Sequence, residues 1–589
     1  MLKSIISVFL CFVSFISCLG QILPAQGAKL NYTQVMFEYP AVKDADGYIL
    51  QLADDTTGVA FDHYLVEQRD SATATLVTNL QFGKRYKWRY AGSKNGQPIA
   101  WMGPYQFQIM ADSLINSNLV SNLITTNDAT NAGGLIINDC TRTITDRTGK
   151  IVWYLDKIQW HVLFKKRNLE LKPQIFDLRL TPSGTITYLA DSIPVETDLN
   201  GNKLWKAPND GKVSGASAES YNHDFKRLPN GHYLVLGNEL WRKLPHYRDT
   251  LAIQKKYPNR KLMDSREYGQ VEFGTVIEYD KNGKLIWSWN SQNYFDSDAL
   301  SQRMGSIQPD FELKAHINAV SIDSKNEYAY VGFRNISRIV KVEKKTGRVV
   351  DSWGLKLPTG GVKNEVLLHQ QHDANILEDG SLAVFNSNDY PGSDSFSRAV
   401  IFSTQPADDG KVLWSYDCNF ESLDRHADRN GGNVDELKNG NLLVCTGNMN
   451  HIFEVTRGKK IVWENTIKPN GKVGDIYFHR LYRAHYISSL YPCYFVFQTG
   501  ADKVSEKTPT FNLKIFNKGS ENDSYQVKVY SMSGVFYKQF ITATVAANQS
   551  LIVEVKPDKF IAAGDKIEVA ITSKTNPDFE RKGEIQVVK

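Results

Sequence analysis

The sequence predicts an all-β protein, a six-bladed β-propeller flanked by an N-terminal and a C-terminal β-sandwich. Three observations predict this. Short apolar runs of period two, separated by polar turns, recur along the chain with no helical period between them. A unit of roughly 40–60 residues repeats through the middle of the chain. The stretches before and after that repeat change character but keep the strand spacing of small sandwiches.

The repeat is clearest where each unit ends. TDRTGKIVWYLD, TDLNGNKLWKA, EYDKNGKLIWSWN, VEKKTGRVVDSWG, ADDGKVLWSYD and VTRGKKIVWENT follow one another in chain order. A four-stranded sheet cannot bury both faces unless neighbours pack against it in a ring, so six such units point to six blades. At 589 residues the chain is too long for a single core. The expected division is a signal peptide at 1–20, a fibronectin type III-like sandwich at 28–112, the propeller at 131–500 and a second sandwich at 505–589.

At the start, Lys3 precedes SIISVFLCFVSFISCLG, too short for a spanning helix and right for a signal peptide. Cleavage after Gly20 would leave Gln21 first; the rival is a lipoprotein acylated at Cys18. A periplasmic or secreted location follows from either. Lys29 to about Met110 alternates strand-like runs such as GYILQLAD and RYKWRYAG, and suits a spacer or docking domain. A polar, Asn-rich linker is expected from Asn116 to Thr130. The third unit carries an insertion, Glu239 to Gly274, that fits a lid, a dimer contact or a plain surface excursion. Phe478 to Pro492 follows the sixth unit and either closes the ring or packs beneath it, with structural histidines. The last segment, with FNLKIFN, YQVKVYS and KIEVAITS, contains no histidine or cysteine.

Composition narrows the partners. A net charge of +5 is mild at this length, and no basic run interleaves with aromatics, so nucleic acid is not expected. No later segment is long and apolar enough to cross a bilayer. Cys140, Cys418, Cys445 and Cys493 lack CxxC spacing and are too few for a disulfide framework.

Histidine recurs at one phase of the repeat. His223 in NHDFKRLPNG stands seven positions before Asn230, and His372 in QQHDANILEDG stands seven before Asp379. His316 in KAHINAVSIDSKNE keeps a similar phase before Lys325-Asn326, while Phe176 and Gly432 hold the matching places in two other units. First strands of blades line a propeller's channel, so three imidazoles from the third, fourth and fifth blades should converge. Asn318 lies two residues after His316, and Arg334 in VGFRNIS lies on the next strand. Asp224 and Asp373 each follow a histidine directly, and Arg398 in SRAVIF lies farther along the fifth blade.

Imidazoles beside a guanidinium suit an oxyanion, which accepts several hydrogen bonds from them. A neutral histidine among them can attack the central atom and form a covalent intermediate. The competing reading is a three-histidine zinc site, which Arg334 in the same channel would oppose by repelling a dication. Histidines that merely pack or cap strands are the third reading. Asp224 and Asp373 suit strand turns or partners that orient imidazoles.

YNHDFKRLPNGHYLVLG, HINAVSIDSKNEYAYVGFRNISRIVKVEKKTGRVVDSWG and QQHDANILEDGSLAVFNSND with its later SRAV resemble the bacterial arylsulfate sulfotransferase family. The resemblance covers the propeller and, more loosely, the N-terminal sandwich. It implies a periplasmic enzyme that moves a sulfuryl group from a phenolic sulfate ester to a phenol, with no cofactor and no nucleotide sulfate donor. By motif, His372 would become the sulfohistidine. His223, His316, Asn318 and Arg334 would bind the sulfate and handle protons, with Arg398 a neighbour. The C-terminal sandwich departs from the family pattern, as does the sixth unit with His426, Asn430 and Asn433. The partners are then two small phenolic molecules, and a homodimer is compatible. The alternatives are a hydrolase that uses water on the same site, and a non-enzymatic ligand-binding propeller.

Overall fold

The structure, a computed structural model, describes residues 21–589 except 56–60, 62, 112–119, 129–132, 156–174, 191, 216–218, 220, 244–269, 295–312, 355–363, 366–367, 388–395, 421–429, 470–480 and 508. The signal segment, most of the Glu239–Gly274 insertion and His426 therefore lie outside the described residues. What is described is all-β and built of many small sheets.

The chain divides into two compact units, one of which runs from Ile109 to Pro492 with Leu30–Thr33. Six mainly antiparallel sheets occupy its described part, two of them with a short parallel strand added. The second is the simplest, with Ile175–Leu180, Ile186–Ala190, Ile193–Thr197 and Lys203–Lys206 paired in chain order. The third, fourth and fifth open with Asn222–Arg227, Ile317–Ile322 and His372–Ile376. The sixth opens with Asn433–Glu436 and carries Val120–Asn127 on its outer edge, beside Ile461–Pro469. That outer strand falls inside the stretch expected to be a linker. Its residues alternate between half-buried and exposed, so an edge strand with one wet face keeps the polar composition of a loop. The first sheet draws on both ends of the unit: Ala484–Ile487, from the Phe478–Pro492 segment, pairs with Leu135–Asn138.

Local turn chemistry builds these sheets. Between first and second strands, Gly184, Gly231, Gly380 and Gly440 have φ of 72, 81, 81 and 80°, a region that costs glycine nothing. In the fourth sheet Asn326 takes the place, at φ 59°, because asparagine tolerates the left-handed region. The unit-ending turns work through aspartate: Asp280 Oδ1 accepts from the Asn282 and Lys284 amides at 2.8 Å, and Asp198 does the same for Asn200 and Asn202.

The tryptophans at the unit endings join sheet to sheet. Trp153 Nε1 donates to Leu199 O at 2.7 Å, Trp289 to Gly347 O at 3.0 Å, Trp353 to Asp409 Oδ1 at 2.7 Å and Trp414 to Arg457 O at 2.9 Å. Trp463 donates to Arg147 O at 2.8 Å, from the sixth sheet to the first. In the second sheet Trp205 instead stacks on Tyr233, with centroids 3.8 Å apart. A buried indole must place its one N–H, and the other five tryptophans place it on the neighbouring sheet.

The other unit gathers residues 34–108 and 493–589. Near the N-terminus, Gln97–Ile109, Arg85–Lys94, Gly47–Asp54 and Val66–Asp70 form one sheet and Val35–Glu38 pairs with Ala74–Val77. Phe37 and Trp88 meet edge to face at 5.1 Å in its core. In the C-terminal segment, Phe495–Thr499, Phe511–Asn517 and Ser550–Val555 form one sheet, facing a five-stranded sheet that contains Tyr525–Ser531 and Lys566–Ser573 across a common core. The alternation of FNLKIFN sends Leu513 and Ile515 inward. Both segments belong to one unit because Arg581 holds Glu38 through two bonds, at 2.6 and 2.7 Å. The four cysteines among the described residues, Cys140, Cys418, Cys445 and Cys493, are buried free thiols.

Candidate active site

The first strands of four sheets break register at equivalent places: Phe176/Arg179, Asn222/Phe225, Ile317/Ala319 and His372/Asn375. Such bulges bend a strand and re-aim its side chains. Close to these breaks, Asp177, His223, His316 and Asp373 take φ of 52, 56, 58 and 58°. Non-glycine residues occupy that region only where the surrounding structure enforces it.

The breaks bring the histidines together. His223 and His316 have ring centroids 4.7 Å apart. Tyr482 links His223 to His372: its hydroxyl lies 3.0 Å from His223 Nδ1, and its ring meets that of His372 edge-on at 6.2 Å. Phe176 closes the far side, edge-on to Tyr482 at 5.4 Å.

His372 is 2% exposed, and the chain around it is pinned. Gln371 Nε2 donates to Phe333 O and Arg338 O at 3.0 Å. Asn318 Nδ2 donates to Gln371 O at 2.8 Å, and the His369 amide donates to Asn386 Oδ1 at 2.7 Å. Within this frame His372 Nδ1 sits 3.2 Å from Gln370 O and 3.2 Å from Ser387 Oγ. A carbonyl only accepts, so in the neutral ring the proton is on Nδ1 and the lone pair on Nε2. Burial holds the His372 pKa well below the ordinary histidine range, and Arg334, Arg483 and His223 push it the same way. The ring is thus neutral at pH 7, the state a nucleophile needs.

Arg334 reaches this site through the backbone. Its amide donates to His316 O at 2.9 Å, and its guanidinium donates to Asn335 Oδ1 at 2.9 Å and Gln370 Oε1 at 3.3 Å. Arg398 stands apart: it pairs with Asp417, at 38% and 51% exposure, on the third strand of its sheet. Asn318, fully buried, spends its amide on the His372 segment.

Beneath the imidazoles lies a layer of buried charge. Asp139, Asp177, Asp224 and Asp373 accept backbone N–H groups of Asp177, Phe225, Val320 and Val434, each on the next sheet. Asn433 completes the series with Ala484, donating to its carbonyl and accepting from its amide. Asp224 and Asp373 therefore bind the neighbouring sheet rather than orienting an imidazole. Arg483, fully buried, lies 3.7 Å from Asp177, 3.6 Å from Asp224 and 3.0 Å from Asp373. Burial alone would raise Asp177, but Arg179, His485 and Arg483 hold it well below the usual carboxylate range. Burial raises Asp139 to about 7 despite three backbone donors. His485 is lowered by burial and Arg179, yet Asp435 and Asp177 win and raise it. Among the described residues no group of three or more His, Cys, Asp or Glu is placed to hold a metal ion.

Tyr482 and Arg483 are the central residues that sequence reasoning missed. Their segment, LYRAHYIS, lacks the repeat's turn and tryptophan. The one signal was its position, directly after the last of the repeated units.

A model of the arylsulfotransferase (ASST) family matches residues 125–448, more than half of the chain. No curated protein matches. Among solved structures, the chain is similar to a protein of unknown function from Bacteroides caccae at 13% identity, covering 58% of this chain and 92% of that one, with a TM-score of 0.33. It is similar to the β-propeller domain of Myceliophteria thermophila Cps50 (Swd1) at 11% identity, with coverage of 51% and 87% and a TM-score of 0.27. A luciferin-regenerating enzyme shows 12% identity, coverage of 60% and 96%, and a TM-score of 0.28. Likenesses this distant carry no argument.

Proposed function

The chain belongs to the arylsulfotransferase family, and from that premise we propose an exported, six-bladed propeller enzyme that moves a sulfuryl group between phenols through a sulfohistidine at His372. The observation that carries the covalent step is the bond from His372 Nδ1 to Gln370 O, which places the lone pair on Nε2. The ring arrangement is supported by carboxylates that tie the first strands of the second, third and fifth sheets to the next sheet, and by Trp463 donating to Arg147 across the seam.

In the first half-reaction His372 Nε2 attacks sulfur, the bond from sulfur to the aryl oxygen breaks, and the phenolate takes a proton from a neighbouring histidine. In the second, an acceptor phenol returns that proton as its oxygen attacks sulfur and the S–N bond breaks. The transition state of such transfers is loose, so fixed donors around the equatorial oxygens supply most of the catalysis. Arg334, His223 and His316 are the candidates for that role. Asn318 acts one step back, by fixing the backbone before His372. A phenol's pKa of about 10 makes protonation of the leaving group worthwhile.

Intact-mass measurement after brief exposure to an aryl sulfate tests the proposal. One added sulfuryl group, mapped to His372 and discharged by a phenol, is expected. Turnover without any adduct removes the covalent step, and sulfate release unaffected by added phenol makes the protein a hydrolase. His372→Ala should abolish both adduct and transfer.

A further inference from the structure

We propose that Tyr482 positions the proton of His223 and so makes His223, rather than His316, the group that protonates the departing phenolate. The inference rests on the sulfuryl-transfer reading above. The Tyr482 hydroxyl lies 3.0 Å from His223 Nδ1. The Arg483 guanidinium lies over the Tyr482 ring, its carbon 5.2 Å from the centroid. Among the described residues His223 Nδ1 is the hydroxyl's one hydrogen-bond partner, and a buried O–H left without an acceptor is costly, so the O–H points at Nδ1 and donates to it. Burial raises the Tyr482 pKa, outweighing Arg483, and keeps that proton in place at neutral pH.

A ring that accepts at Nδ1 carries its own proton on Nε2 when neutral. His372 is the reverse case, because its Nδ1–H donates to Gln370 O and its lone pair is on Nε2. The two imidazoles against one tyrosine thus hold opposite tautomers, one suited to attack and the other to donate. Tyr482 is fixed for this task by edge contacts with Phe176 at 5.4 Å and His372 at 6.2 Å. As the S–O bond breaks, the Nε2 proton of His223 passes to the phenolate oxygen. The acceptor phenol restores it in the second half-reaction, so no proton is consumed over the cycle.

Tyr482→Phe keeps the ring and deletes the hydroxyl. The test compares kcat/KM on phenyl sulfate, whose leaving phenol has a pKa of about 10, with that on 4-nitrophenyl sulfate, which needs little help to leave. A loss of about tenfold or more on phenyl sulfate, with little change on the nitrophenyl ester, is expected for weakened general-acid catalysis. Equal losses on both donors indicate a packing role and overturn the assignment, as does no loss on either. Should that variant fail to fold, His223→Asn carries the same comparison, since asparagine tolerates the φ of 56° found there. It must also hit phenyl sulfate harder, and parallel losses overturn the assignment. Inactivity of the unaltered protein on both donors would instead remove the sulfuryl-transfer reading itself, and this assignment with it.

Discussion

His372 and Asp373 are neighbours in one strand, as are His223 and Asp224, yet the members of each pair serve different layers. His223 meets His316 at a ring distance of 4.7 Å, and Tyr482 lies 5.8 Å from His223 and 6.2 Å from His372, while burial beside cations keeps His372 neutral. The aspartates, one residue on, bond the next sheet and share Arg483. Strand geometry sends successive side chains opposite ways, and the bulge sharpens the turn between them. One repeat can therefore gather imidazoles in one register and bind the neighbouring sheet in the next. The two layers should fail separately.

The largest expected effect is in the lower layer. Arg483→Met leaves Asp177, Asp224 and Asp373 without their shared cation, and breaking a buried pair costs about 3–5 kcal/mol. Urea unfolding should show a loss of that size. A variant as stable as the parent would mean that the packing of sheet on sheet does not depend on this layer.

Arg334→Gln probes the upper layer. It should lower kcat/KM by about 10²-fold, the usual result of removing one oxyanion donor, while the unfolding curve stays put. It also changes the pH profile. His372 acts when neutral, and its folded pKa is depressed by burial and then by Arg334, so the parent keeps its activity as pH falls through the ordinary histidine range. With Arg334 gone the pKa rises, and activity should be lost at higher pH than in the parent. An acid limb that stays where it was would show that Arg334 does not face His372.

The smallest effect belongs to Arg398→Ala. Its partner Asp417 is half-exposed, and surface pairs contribute about 0–1 kcal/mol, so stability and transfer rate should both stay near the parent's. A large fall in transfer would place Arg398 in the upper layer after all.

The sequence by itself determined the parts that depend on neighbours along the chain. Asp280 holding its own turn, the glycines at positive φ and the indoles of the unit endings are local signals, so the repeat and the register of His223, His316 and His372 could be read from spacing alone. The resemblance carried by those motifs foretold the family. Tertiary structure alone decided what meets those histidines. Tyr482 stands 259 residues from the His223 it bonds, and Asp139 stands 343 from the Tyr482 amide it accepts. Val120–Asn127 became an edge strand because a partner more than three hundred residues away supplied the ladder. Pairing over such distances is set by how the sheets pack, and no period in the chain encodes it.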